Sequence, residues 1–242
     1  MGQDGPSRRG ESQNAAPMAP VRRTPQEARS AYDRMSRWYD LLAGGSEEPH
    51  VEAGLRKLSA ASGEQILEIG FGTGHALVSL AEATGPAGRA IGVDISEGMA
   101  RVAHDRLEGA GQHDVVRLVC GDGARLPLAD KLADGIFMGF TLELFDTPRI
   151  PAVLAECRRV LREGGRLCVV SLAKREQESA LVRLYEWVHG RLPQYVDCRP
   201  IPVAQVLESG GFRVAETERR SMWGLPVDVA LAEPMTIARN YS

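Results

Sequence analysis

Apolar residues fall along this chain in short runs, separated by longer stretches with a helical period. The runs at 65–69, 89–93, 115–120, 135–140 and 166–171 read as five buried strands. Helices are predicted between them. One covers about 73–83, one runs from a Ser96 cap to about Glu108, and one runs from about Pro148 to Leu161. Gly164-Gly165 reads as the left-handed cap that ends the third. Apolar strands alternating with helices form a parallel sheet covered on both faces, a doubly wound α/β fold. After Glu176 the alternation stops. A helix is predicted over about 177–190, with Leu181, Leu184, Tyr185 and Val188 on one face and Trp187 beside it, and a second over about 202–209. Two strands finish the chain, about 212–220 and 227–231. Their connection through Trp223 and Gly224 is too short for a parallel crossover, so this pair is expected to be antiparallel.

Ahead of the sheet, Thr24-Pro25-Gln26-Glu27 is a capping box with proline at the first helical position. The helix it opens runs to about Leu42 and carries Tyr32, Ser36 and Tyr39 along one face. Gly44-Gly45 ends it, and Ser46 is expected to cap a second helix to about Leu58. Residues 1 to about 23 are Gly, Pro, Ser, Gln and Arg with few large apolar groups, a composition that cannot offset the entropy of ordering. The expected organisation is a disordered tail over 1–23 and one domain over 24–242. Cap helices occupy 24–60, a cofactor-binding core 65–172, and lid helices 176–209.

Composition narrows the partners. A net charge of −3 gives no general attraction to nucleic acid or anionic membrane. Cys120, Cys157, Cys168 and Cys198 have no C-x-x-C spacing, which suits reduced thiols better than a zinc site or a disulfide frame. No apolar run has transmembrane length and no signal-peptide core opens the chain, so a cytoplasmic protein is expected. Glu143 and Asp146 are the nearest approach to a carboxylate cluster after strand four. They read as charges at a helix N-terminus, and no metal is expected.

The chemistry gathers in Glu68-Ile69-Gly70-Phe71-Gly72-Thr73-Gly74-His75, where a buried strand stops in alternate glycines and a helix starts. Glycine lets backbone approach a ligand, and the new helix presents free N–H groups. Asp94 closes the second strand, where a carboxylate can accept both hydroxyls of a ribose. A dinucleotide fingerprint would place glycine or alanine at the sixth position, which is His75 here. Glu68 would repel a diphosphate but can hold an ammonium group or tie the loop through its N–H groups. Asp122, with Gly123 after it, is placed to accept from an exocyclic adenine amine. An adenine, a free ribose, no phosphate and an ammonium group describe S-adenosylmethionine.

At these residues the chain resembles the class I S-adenosylmethionine-dependent methyltransferases. The Glu68-x-Gly70-x-Gly72-x-Gly74 run, Asp94 and Asp122 match that family's cofactor motifs in order. The resemblance implies a Rossmann-like, seven-stranded sheet in the order 3-2-1-4-5-7-6 with strand seven antiparallel, and a helical lid between strands five and six. It also implies that Ile95 and Leu142 sandwich the adenine, that Phe140 and Thr141 meet the methionyl end, and that Tyr39 folds over the mouth. Within the family, Tyr32 to Asp40 and Leu154 to Leu161 with Gly164-Gly165 resemble the ubiquinone/menaquinone-biosynthesis methyltransferases and their small-molecule relatives. The implied acceptor is quinone-like, lipid or another secondary metabolite, and nucleic acid is disfavoured because Gly139-Phe140-Thr141-Leu142 replaces the Asn/Asp-Pro-Pro turn. Candidate bases are His75, His189 and Tyr195. A nicotinamide-dependent oxidoreductase and a non-catalytic binding module are the alternatives.

Overall fold

A computed structural model describes residues 45–174 and 199–235. The expected tail, the N-terminal helix with Tyr32 and Tyr39, the lid helix over about 177–190 with His189, and Tyr195 after it lie outside them.

The sheet has seven strands in the order β3-β2-β1-β4-β5-β7-β6. They are β1 Gln65–Ile69, β2 Arg89–Asp94, β3 Val116–Cys120, β4 Ala133–Gly139, β5 Leu161–Leu172, β6 Phe212–Met222 and β7 Leu225–Pro234. The first five are parallel, and β7 runs antiparallel to both β5 and β6. This is the expected order and the expected reversed strand. Alternate residues feed two apolar layers, as the two-residue period of a strand requires. Leu67, Ile69, Ile136, Met138, Leu167 and Val169 face one layer. Ile66, Phe137, Cys168 and Val170 face the other.

Helices α1 Gly45–Leu58, α2 His75–Thr84 and α3 Glu97–Gly109 cover the Ile66 face. Helices α4 Ile150–Val160 and α5 Val203–Ser209 cover the Leu67 face. In α4, Ile150, Val153, Leu154, Cys157 and Val160 repeat at helical spacing and are all buried. Helix α1 comes unusually close to the sheet. A Cβ on Gly54 would stand 2.5 Å from Val170 Cγ2 and 2.8 Å from Phe137 Cε2. That approach sets the N-terminal turn of α1 above the ends of β1 and β4, where the site lies. Among the described residues, no helix is long and apolar enough to cross a membrane.

Three local expectations are corrected. Gly164-Gly165 caps no helix: α4 ends at Val160, and the chain enters β5 directly. The glycines sit where the β4–β5 pairing shifts register between Ala133 and Gly135, so the pair absorbs an irregularity in a strand. Ser46 lies inside α1, which starts at Gly45. Phe140 stands just past β4 rather than in it, with φ 49°. The β6–β7 connection is the two-residue turn Trp223-Gly224, both at positive φ as a tight hairpin requires.

Candidate active site at the glycine loop

The three alternate glycines do three different things. A Cβ on Gly70 would lie 2.3 Å from Thr141 Cγ2, so this position admits the segment after β4. A Cβ on Gly74 would lie 2.8 Å from Ala103 Cβ, so this one admits α3. Gly72 has nothing within 4 Å of the corresponding point, and its φ is 51°. Its open face looks into a cleft of about 620 Å³.

Asp94 holds the loop. Its Oδ2 accepts from the N–H of Gly72 at 2.9 Å and its Oδ1 from the N–H of Ser96 at 2.8 Å. Loop-tying, expected of Glu68, is done here by Asp94. The Arg106 guanidinium of α3 donates to the carbonyl of Thr73 from the other side. Glu68 is 4% exposed, and its Oε2 is enclosed without a hydrogen-bond partner. Burial, and then the neighbouring Asp94 carboxylate, raise its pKa well above the ordinary value. A buried acceptor left unmatched is costly. A ligand that brings an ammonium or N–H donor removes that cost, so the residues fit the amino-acid end of S-adenosylmethionine.

Of the residues singled out in the sequence, Glu68, Gly70, Gly72, Asp94, Phe140, Thr141 and His75 line one cleft. His75 is exposed at the start of α2. Phe140 is buried edge-on against the His50 ring, 6.4 Å between centroids. Gly74, Ile95, Asp122, Gly123 and Leu142 are not on the cleft wall. Leu142 is fully buried, and a Cβ on Gly123 would meet Phe145 at 2.8 Å and Ile69 at 2.9 Å. The Asp122 carboxylate is paired with the Arg149 guanidinium through Oδ2 and accepts from the Ala124 N–H at 3.0 Å through Oδ1.

Sequence reasoning missed the opposite wall. Glu47, Glu48, Val51, Glu52 and Leu55 of α1 all line the cleft. Their spacing held the signal, because 47/51/55 and 48/52 are successive turns of a helix. Glu47 is half-buried, and burial raises its pKa to about 7.

Glu143 corrects an expectation. Asp146 does cap a helical turn, accepting from the Thr147 N–H at 2.9 Å. Glu143 is instead fully buried, with Oε1 accepting from the Leu172 N–H at 3.2 Å and Oε2 without a partner. Burial is the main cause that lifts its pKa to about 8, and Glu47 adds to it. Arg199, 1% exposed, clamps the same segment. It donates to the carbonyls of Glu143 at 3.2 Å and Phe145 at 2.7 Å, and to Thr147 Oγ1 at 2.8 Å.

Known proteins resemble this chain in sequence and in fold. Residues 66–165 match the methyltransferase domain family. A demethylmenaquinone methyltransferase of Symbiobacterium thermophilum is 33% identical over 154 residues, 62% of this chain and 60% of that protein. The chain therefore spans less than two thirds of that relative's length. The structure of the 4+2-cyclase SpnF superposes with a TM-score of 0.72 at 18% identity, covering 93% of this chain and all of SpnF. A SAM-dependent methyltransferase from Aquifex aeolicus superposes with a TM-score of 0.57 at 21% identity, covering 87% and 99% of the two chains. In sheet order the chain has the fold of these methyltransferase structures, and the stretch that matches the methyltransferase domain family is residues 66–165.

Proposed function

We propose that the protein transfers a methyl group from S-adenosylmethionine to a small, quinone-like acceptor. The observation that carries this is the orphaned Oε2 of Glu68 beside the open face of Gly72, at the mouth of one cleft. When bound, the cofactor supplies an activated methyl group, and the chain supplies placement. Glu68 takes the methionyl ammonium. Gly72 lets the ligand lie against backbone. Asp94, already fixed by two N–H groups, offers its remaining lone pairs to the ribose hydroxyls. Asp122 takes the adenine amine once Arg149 yields, with Ile95, Gly123 and Leu142 forming the surround of the ring. Val51, Leu55 and Leu144 give the cleft an apolar strip on which a ring-bearing acceptor can rest. Methyl transfer depends mainly on such alignment.

The quinone-like acceptor is favoured by the demethylmenaquinone methyltransferase similarity. A nicotinamide cofactor is disfavoured because the buried Glu68 carboxyl stands at the loop where its diphosphate would sit. One observation favours a second reading: SpnF shares the fold and is named a cyclase, so ring formation without methyl loss remains a rival activity. The test supplies the protein with S-adenosylmethionine labelled in its methyl group and reduced demethylmenaquinone. Label is expected in the quinol, and none with Gly72→Val. Cofactor bound but label transferred to no quinol would remove the quinone reading, and a rearranged acceptor of unchanged mass would favour the cyclase one.

A further inference from the structure

Among the described residues that line the cleft, Phe140 is the one non-glycine with a positive φ. At 49° it holds a left-handed conformation that an aromatic residue rarely adopts and that persists only where its surroundings enforce it. The turn carries the chain from β4 onto the glycine loop. Thr141, directly after it, packs against Gly70 and donates its hydroxyl to the Gly139 carbonyl at 2.9 Å. Phe140 is held at two points. Its N–H donates to the Val170 carbonyl at 2.8 Å, and its ring stands at 80° to that of His50 on α1. His50 is fixed from behind in turn. It is buried, and its Nδ1 accepts from the Nε–H of Arg220 on β6 at 3.2 Å. Glu218 orients that guanidinium, 2.7 Å from Nη1. A guanidinium keeps its protons, so Nδ1 must supply a lone pair, and His50 is neutral with its hydrogen on Nε2. Neither neighbour needs this contact for its own placement. β6 pairs with β7 from Phe212 to Met222, and Ala53, Gly54 and Leu58 seat α1 on the sheet. What the pair fixes is the ring of Phe140.

We propose that His50 and Arg220 are positioning residues for the cofactor cleft, acting through Phe140 to keep the segment after β4 seated on the glycine loop. This rests on the cofactor reading above. Neither side chain lines the cleft, so their effect reaches the ligand through the wall they hold. A proton on Nδ1 would replace the hydrogen bond to Arg220 with a contact between two cations and release the ring. Other charged and titratable groups stand around His50. Glu218 lies beside Arg220, Glu47 one turn earlier on α1, and Lys57 two turns later, paired with Glu216 at 2.9 Å. Beneath α1 the Cys168 thiol donates to the Gly54 carbonyl at 3.3 Å, in the same apolar layer as Phe137, Val170 and Val227. Burial, and then Arg220, outweigh the acids and lower the pKa of His50 from the usual 6.5. The anchor is therefore complete above pH 6.5 and is lost as pH falls through the lower value of the folded protein.

Calorimetry on the full chain tests this by titrating S-adenosylmethionine into the wild type, His50→Ala, His50→Phe and Arg220→Gln, with circular dichroism to establish folding. Release of the strained turn is expected to weaken binding about tenfold in His50→Ala. His50→Phe restores a ring against Phe140 and recovers part of that loss. Arg220→Gln, at a half-buried side chain, leaves the His50 ring in place but unanchored and weakens binding about threefold. The second readout is pH. Between about pH 7.5 and about pH 5.5 the wild type is expected to lose more affinity than His50→Phe, which has no imidazole to titrate. The cleft carboxyls, Glu47 and Glu68 among them, titrate in both proteins, so the difference between the two profiles isolates His50. Where His50→Ala does not fold, Arg220→Gln and the paired pH profiles decide. Wild-type affinity in Arg220→Gln, or identical profiles in the wild type and His50→Phe, overturns the positioning role and leaves the cofactor reading intact. No binding by the wild type overturns both.

Discussion

Asp94 and Asp122 stand at the carboxyl ends of neighbouring strands, and their carboxylates are occupied differently. Asp94 is tied to backbone N–H groups of Gly72 and Ser96 and still lines the cleft. Asp122 is tied to the guanidinium of Arg149, which also lies 5.9 Å over the Phe145 ring, and it stands off the cleft. The glycine-loop half is preorganised: its anchors are backbone, which a ligand need not displace. In the half proposed for the adenine a ligand would exchange one partner for another, and Gly123 is packed tightly under Phe145. Affinity in such a site comes mainly from the half whose cost of ordering is met in advance.

The comparison breaks most severely at Gly72. In Gly72→Val a branched side chain fills the open face at φ 51°, a conformation such residues rarely adopt. Cofactor affinity is expected to fall about a hundredfold, equivalent to about 3 kcal/mol. Calorimetry, with circular dichroism to establish folding, reads both effects.

A second change acts on the segment shared by the halves, since Thr141 meets Gly70 and Phe145 meets Gly123. Glu143 lies within it, its pKa raised to about 8 from an ordinary 4.5. The folded state therefore binds this proton more tightly than the unfolded chain. The resulting stabilisation is complete below pH about 4.5 and is lost as pH rises through about 8. Unfolding midpoints of the wild type are expected to fall across that window, and Glu143→Gln to flatten the slope. A wild-type slope that survives the substitution would assign the effect elsewhere, with Glu68 and Glu47 next in line because burial raises the pKa of both.

The smallest expected effect concerns the adenine half. Asp122→Asn should weaken cofactor binding by less than about tenfold, because the wild-type carboxylate already spends part of its interaction on Arg149. Arg149→Ala frees that carboxylate, and affinity should hold steady or rise slightly. A loss in Asp122→Asn as large as that in Gly72→Val would show the two halves to be equivalent.

What could be read from the chain follows the range of the forces involved. The buried strands, the glycine turn, Asp94 and the reversed last strand rest on local pattern and turn chemistry, and all lie where expected. The Gly164-Gly165 irregularity was misread because a helix cap and a strand bulge use the same residues, and only the pairing with β4 distinguishes them. Glu143 reads as a helix N-terminal charge because nothing nearby in sequence reports that Leu172 and Arg199 close over it. The Asp122–Arg149 pair spans 27 residues and was invisible for the same reason. The acidic wall of α1 was legible in its spacing, but assigning it to the cleft required knowing that Gly54 lets the helix settle on β4 and β5.

Hydrogen–deuterium exchange with and without S-adenosylmethionine tests the central claim most directly. Ligand seated on the preorganised half should slow exchange over residues 69–76 and 94–96, with weaker protection around 122–124. Protection confined to 122–124, or none around the glycine loop at saturating ligand, would contradict the account.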